Sequence, residues 1–286
     1  MAETIAYLIL GGTGQLGSEF ARRLGGSAVV WTRQQLDLAD YETIIPKLAR
    51  IEADVLINCA AYNYVDQAED DIDMAFRVNA YAPWKLAQFC RQRDLLLVHF
   101  STDYVFGIDT QRRRPYHECD RPTPVNVYGA SKLAGECLVA QVWDRHLIVR
   151  TCGLYGLPAG GGKRGNFVET ILAAAQRGQP LRVVHDQICT PTSVNDVAAA
   201  VLQLIAAGTT GLVHMTNAGY CTWYEFASRA LEYAGVRADI QPIGSDQWKQ
   251  RATRPHYSVL ESMRPDRIEL RPWQDALRDY IKQRMN

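Results

Sequence analysis

Ile5-Ala6-Tyr7-Leu8-Ile9-Leu10 runs directly into Gly11-Gly12-Thr13-Gly14-Gln15-Leu16-Gly17. The first six residues are apolar enough for a strand buried on both faces, and Gly14 to Leu24 carries apolar residues at helical spacing. Strand, glycine turn and helix in that order form the phosphate-binding opening of a dinucleotide fold. Glycines let the backbone turn tightly and approach a pyrophosphate, and the helix N-terminus offers N–H groups and a positive dipole end. Gly12, Gly14 and Gly17 fit G-x-G-x-x-G; Gly11, Gly14 and Gly17 fit G-x-x-G-x-x-G. Gly11, Gly14, Gln15 and Leu16 are the candidate cofactor contacts. Glycine turns also join strands to helices for geometric reasons alone, so the surrounding sequence has to decide between the two readings.

Apolar runs recur at Ala28–Trp31, Val55–Asn58, Leu95–Phe100 and Leu147–Arg150. Between them, Asp66–Arg93 and Val125–Trp143 have helical periodicity. This alternation predicts an α/β class, a doubly wound parallel sheet of the Rossmann type. After Arg150 the texture changes. Gly160–Gly165 is a basic, glycine-rich loop, followed by helices over Asn166–Arg177, Val194–Ala207 and Trp223–Ala234. The tail from Gln241 is rich in proline and arginine and reads as irregular. The expected organisation is a dinucleotide-binding domain over 1–150 and a smaller substrate-binding region over 151–286, packed on the sheet's carboxyl edge. A segment at about 190–215 should return to the first domain.

The end of the second strand bears on which dinucleotide is bound. Folds selective for NAD place a carboxylate there for the ribose 2′-hydroxyl. Here the sequence is Trp31-Thr32-Arg33, and an arginine suits a 2′-phosphate, so NADPH is expected. NADH is the alternative if Arg33 is only a solvated loop residue. Asp37 and Leu38 are candidates to border the adenine.

The bulk numbers exclude several classes. The 286 residues are 47% hydrophobic with zero formal net charge, so nothing points to a nucleic acid or an anionic membrane. Seven scattered cysteines, with no Cys-x-x-Cys pair, fit neither a disulfide framework nor a zinc site, and suit reduced thiols in the cytoplasm. Met1–Leu10 lacks a basic leader and a cleavage site, and no apolar run is long enough to span a bilayer.

Tyr128-Gly129-Ala130-Ser131-Lys132 contains Tyr-x-x-x-Lys, which on a helix puts both side chains on one face. An ammonium near a phenol stabilises its phenolate and makes it usable in proton transfer. Alone, the spacing is common and describes any amphipathic helix. Ser101-Thr102 follows the fourth strand, where ligands bind in open α/β sheets, and Thr102 could hydrogen-bond a substrate carbonyl. Its bland reading is a capped turn. His99 reads as a core histidine.

Taken together, these stretches resemble the dTDP-4-dehydrorhamnose reductase family of extended short-chain dehydrogenases/reductases. The matching segments are GGTGQLG at Gly11, LDLAD at Leu36, NCAAYNYVDQAE at Asn58, VNA at Val78 and STDYVFG at Ser101. PVNVYGASKLAGE at Pro124, RTCGLYG at Arg150, GNF at Gly165, DQICTPT at Asp186 and RPHYSVL at Arg254 complete the set, in family order over nearly the whole chain.

The resemblance implies Thr102, Tyr128 and Lys132 as catalytic residues, with Tyr128 as general acid, Lys132 lowering its pKa and Thr102 bonding the ketone oxygen. It implies that Cys59, Ala60, Ala61 and Tyr62 line the cofactor with Tyr128 and Lys132. Val65, Asp66, Gly153, Asn166 and Arg254 would lie toward a nucleotide-sugar substrate. Lys163, Arg164 and Arg254 are candidates for its phosphates on charge as well. The implied reaction is NADPH-dependent reduction of the C4 ketone of a nucleotide-linked 6-deoxysugar. Its rivals are a nucleotide-sugar epimerase and a non-catalytic NADP-binding regulatory subunit like that of methionine adenosyltransferase.

Three departures stand out. A tryptophan often found against the sugar is Gly153 here, and a hydroxyl becomes Asn63. Some members bind magnesium through carboxylates; Glu19 fits one such place, but Asn195 stands where another acid would be, so no metal ligand is assigned. A homodimer is compatible with the resemblance.

Overall fold

The computed structural model describes residues 5–157 and 165–285. Its main sheet has six parallel strands in the order β10-β5-β4-β3-β1-β2: β1 (Tyr7–Leu10), β2 (Ala28–Trp31), β3 (Val55–Asn58), β4 (Leu96–Thr102), β5 (His146–Thr151) and β10 (Gly211–His214). The chain runs outward from β1 to β2, then returns to β3 on the other side of β1. The order reverses between β1 and β3, which opens a crevice at their carboxyl ends.

Both faces are covered. On one, α1 (Gln15–Leu24) and α8 (Val194–Ala206) pack Leu16, Phe20, Val197 and Val201 against Ile9, Ile57 and Val98. On the other, α2 (Ile44–Leu48), α5 (Ala82–Arg93) and α6 (Val127–Val142) bury Ile44, Leu86, Phe89 and Val139 against Leu8, Leu56 and Leu97. Each fully buried Leu, Ile or Phe contributes roughly 2 kcal/mol of apolar transfer. Since β1, β3, β4 and β5 point apolar residues to both faces, they read as continuous hydrophobic runs.

Two expectations need correction. The helix foreseen over 66–93 is three helices, α3 (Val65–Ala68), α4 (Ile72–Phe76) and α5, with a wide π-type turn over Arg77–Tyr81. Asp71 starts a new helix by accepting from Met74 N at 3.3 Å. Within the wide turn, the Asn79 side chain leaves the helix pattern to bind Tyr62 N and O, both at 2.9 Å. The tail is not irregular throughout. Its last segment forms α10 (Trp273–Met285), which buries Trp273, Ala276, Leu277, Tyr280 and Ile281. That spacing is helical, and the prolines and arginines before it masked the signal.

The second half also builds α7 (Phe167–Gln176), α9 (Trp223–Tyr233) and short strand pairs: β6 (Leu154–Tyr155) with β9 (Thr192–Ser193), β7 (Leu181–Val184) with β12 (Ile240–Ile243), and β8 (Ile188–Cys189) with β11 (Cys221–Thr222). These share a core of their own around Tyr155, Leu172, Phe226 and Leu277. Residues 194–214 return to the main sheet as α8 and β10. The strand β10 was not foreseen.

Candidate active site

The glycine turn sits at the crevice. Gly11 has φ +77°, and a Cβ there would lie 2.7 Å from Ala60 N, so only glycine lets the end of β1 meet the end of β3. Gly11 N and Gly12 N donate to Trp31 O at 3.1 and 3.3 Å, which brings Thr32 and Arg33 beside the turn. Gly14 caps α1 without a side chain, so among the described residues no side-chain acceptor caps the helix N-terminus, and its first N–H groups suit an anion. The Leu16 side chain is buried in the core, leaving its backbone to face a ligand. Leu38 is likewise buried on the opposite face of the sheet. Arg33 is 78% exposed and pairs with Asp37 at 3.0 Å.

Following β3, Cys59 N donates to Leu10 O at 3.0 Å and Ala60 N to Asn58 Oδ1 at 3.1 Å, so Cys59 and Ala60 lie next to the glycine turn, while Tyr62 is held by Asn79. His99 is fully buried against Asn58, and burial together with the Lys132 charge holds its ring neutral.

Thr102 ends β4, and Tyr128 and Lys132 lie one turn apart at the start of α6. Asn126 starts that helix by accepting from Gly129 N at 2.7 Å, while its Nδ2 donates to Thr253 O at 2.8 Å. Thr102 and Tyr128 share a cleft of about 330 Å³, at the lower end of the roughly 300–1,000 Å³ used by small-molecule sites. Burial raises the Tyr128 phenol to about 12, against an opposing pull from Thr102. It is therefore a proton donor at neutral pH. Lys132 Nζ donates to Phe100 O at 2.6 Å, and burial lowers it to about 8 despite the Glu136 charge. The ammonium is held on β4 by its bond to Phe100 O, and a hydrogen bond with Thr102 opposes the effect of burial on the phenol.

Beneath the cleft, Asp103 is fully buried and accepts from Ser258 Oγ at 2.6 Å and from Cys152 Sγ and Thr102 Oγ1, both at 3.1 Å. Burial raises its carboxyl above the usual range, although the three donors oppose this. Gln187, in the DQICTPT stretch that the resemblance places near the substrate or a subunit contact, lines the cleft; sequence reasoning did not single out Asp103, Cys152, Trp223 and Ser258, which line it too. Asp103, Cys152 and Ser258 lie inside the quoted STDYVFG, RTCGLYG and RPHYSVL stretches and were within reach of that reading; Trp223 lies outside every quoted stretch.

Val65, Asn63 and Gly153 line the same cleft. Asp66 lies at its border, accepting from Arg251 N and Ala252 N at 3.1 Å and pairing with Arg254 at 2.9 Å, which pins the 251–254 segment over α3. Asn166 lies outside the cleft. It caps α7 by accepting from Glu169 N at 3.1 Å, and its Nδ2 reaches Gly156 O, Tyr280 Oη and Gln15 Oε1. Lys163 and Arg164 fall outside the described residues.

The magnesium place does not fit a metal. Glu19 accepts from Arg22 at 2.6 Å and Arg23 at 2.7 Å, and Arg23 also reaches the Asn195 carbonyl at 2.9 Å and its side-chain oxygen. Burial pushes the Glu19 carboxyl up, but the two guanidiniums outweigh it and hold it below the usual range. The cation between Glu19 and Asn195 is the side chain of Arg23.

A parallel sheet with a glycine turn at its switch point, and a hydroxyl, a protonated phenol and a lysine at the neighbouring strand end, define an oxidoreductase of the short-chain dehydrogenase/reductase type. The sequence profile of the RmlD substrate binding domain matches residues 5–286, and the chain belongs to that family. It is 37% identical to spore coat polysaccharide biosynthesis protein SpsK of Bacillus subtilis, over 97% of each chain. It is also 37% identical to dTDP-4-dehydrorhamnose reductase of Mycolicibacterium smegmatis, over 98% of this chain and 86% of that one. Among solved structures, dTDP-4-dehydrorhamnose reductase of Bacillus anthracis in complex with NADP superposes with TM-score 0.92 at 31% identity, covering 98% of this chain and 99% of that one.

Proposed function

We propose that this protein reduces the C4 ketone of dTDP-4-dehydro-L-rhamnose to give dTDP-L-rhamnose, with NADPH as reductant. The observation that carries the reading is a half-buried, protonated Tyr128 in one cleft with Thr102, at the carboxyl end of β4. Gly11, Gly14 and the α1 N-terminus would hold the pyrophosphate, Cys59–Tyr62 the adjoining face, and Arg33 the 2′-phosphate. When bound, NADPH supplies the hydride that reaches C4 of the sugar.

The chain's own residues handle the oxygen. Thr102 Oγ1 orients the ketone and strengthens its hydrogen bond as negative charge grows there. Tyr128 gives its proton to that oxygen, and the alcohol leaves neutral. The Lys132 ammonium, fixed on Phe100 O, places positive charge beneath the site. Val65, Asp66, Gly153 and Arg254 border the nucleotide sugar. Arg23 fills the Glu19–Asn195 space, so a divalent cation bound there would have to displace its guanidinium.

The test is oxidation of NADPH by the purified protein with dTDP-4-dehydro-L-rhamnose generated in place, followed by identification of the product. Stoichiometric NADPH loss with dTDP-L-rhamnose supports the proposal. Interconversion of sugars without net oxidation would make it an epimerase, and NADP binding without any turnover a regulatory subunit. Tyr128→Phe should lower turnover by about 10²–10⁴ while NADPH still binds.

A further inference from the structure

On the cleft wall, the strand turn between β5 and β6 passes through Gly153 at φ +50°. A Cβ on Gly153 would stand 3.1 Å from Cη2 of Trp223, 3.8 Å from its Cζ2 and 3.4 Å from Pro191 Cα. The edge of the Trp223 six-membered ring therefore lies over Gly153, where any side chain would press against it. Trp223 is the first residue of α9, behind a capping box in which Thr222 and Glu225 satisfy each other's backbone N–H groups. Its ring rests against Phe167 (centroids 4.7 Å apart) and Phe226 (6.2 Å). The indole is thus fixed on its inner side, half-buried, and lines the cleft that holds Thr102 and Tyr128.

Polar groups line the same cleft. Gln187 and Ser258 line the same space, and the Thr151 hydroxyl there is buried without a hydrogen-bond partner among the described residues. An aromatic ring with hydroxyl and amide groups around it suits a ligand that is apolar on one face and hydroxylated at its edge, which is the character of a pyranose. If C4 of the sugar is to meet Tyr128 and Thr102, the ring that contains C4 must lie in this cleft.

We propose that Trp223 is the specificity-determining platform for the sugar ring, and that Gly153 is glycine so that the indole edge stays open to it. The inference rests on the nucleotide-sugar reading above. Trp223 would contact the pyranose rather than the nucleotide base or the nicotinamide.

The test compares wild type with Trp223→Leu, Trp223→Phe and Gly153→Ala as full-length proteins. Trp223→Leu should raise KM for dTDP-4-dehydro-L-rhamnose about tenfold, with Trp223→Phe recovering part of the loss and KM for NADPH unchanged. Gly153→Ala, which crowds the indole without removing it, should raise the sugar KM as well. Calorimetric titrations with dTDP-L-rhamnose and with dTDP alone, both in NADP⁺, separate this inference from the reading it rests on. Tighter wild-type binding of the sugar nucleotide than of dTDP, with the gap closed in Trp223→Leu, supports the platform even where turnover of the ketosugar fails and the reductase reading falls. An unchanged gap in a Trp223→Leu protein that melts like wild type overturns it. So does an equal loss of dTDP or NADPH affinity, which assigns the indole to the nucleotide or cofactor. Should Trp223→Leu fail to fold, the Phe and Ala variants decide by the same gap.

Discussion

Arg150 on β5 and Glu136 on α6 form a buried bidentate ion pair, Nε to Oε1 at 2.9 Å and Nη2 to Oε2 at 2.6 Å. Ser101 adds its hydroxyl to the same carboxylate. Tyr128, Lys132 and Glu136 follow one another at four-residue spacing on α6, so the pair fixes the helix face that carries the first two. Replacing both charges by apolar groups could be neutral, but removing one leaves the other buried and alone. Glu136→Gln should destabilise the protein by about 3–5 kcal/mol, read from urea unfolding. An unchanged urea midpoint would contradict this account of how α6 is held.

Lys132 should make stability rise with alkalinity. Burial lowers its folded pKa to about 8 from 10.5, so between those values the unfolded chain binds more protons than the native one. Stability from this group is therefore gained as pH rises through that window, and its charged form is the unfavourable one below it. Lys132→Met should raise the urea midpoint at pH 7, abolish this part of the slope between about pH 8 and 10, and lose activity. A variant less stable than wild type at pH 7 would show that the ammonium's bond to Phe100 O outweighs its burial.

The ion pair between Arg33 and Asp37 is exposed and worth little in water, so the guanidinium is free to turn toward a phosphate. Arg33→Ser should leave thermal stability unchanged and reduce the preference for NADPH over NADH about tenfold, the effect of one charge-assisted phosphate contact. The ratio of kcat/KM for the two cofactors measures it. A preserved ratio would remove Arg33 from the 2′-phosphate site.

Because Arg23 joins Glu19 to Asn195, activity should withstand chelation. Protein treated with EDTA and then freed of it should keep its turnover, and added magnesium should not shift its melting temperature. Loss of rate restored by magnesium would show that a divalent ion displaces Arg23. Arg23→Ala, which opens the space, is the variant in which magnesium should begin to have an effect.

Much of the cofactor side was legible early because its signals are local. A strand feeding a glycine turn, and a helix that brings Tyr128 over Lys132, are properties of short segments whose backbone periodicity puts residues on known faces. The same local reading failed at Asn79, whose side chain leaves the helix to bind Tyr62, and at α10, where flanking prolines and arginines outweighed the spacing of Trp273, Ala276, Leu277, Tyr280 and Ile281.

Residue order alone determined the α/β alternation, the glycine turn at the end of the first strand and the helical pairing of Tyr128 with Lys132, since each follows from chain geometry over a few residues. Only the tertiary structure decided that Asp103 would be buried under donors from Cys152 and Ser258, that Arg23 would occupy the place of a cation, and that Trp223 would lie over Gly153. Those contacts join segments tens to more than a hundred residues apart. Their geometry depends on how the two cores pack at the sheet's carboxyl edge, which no local period encodes.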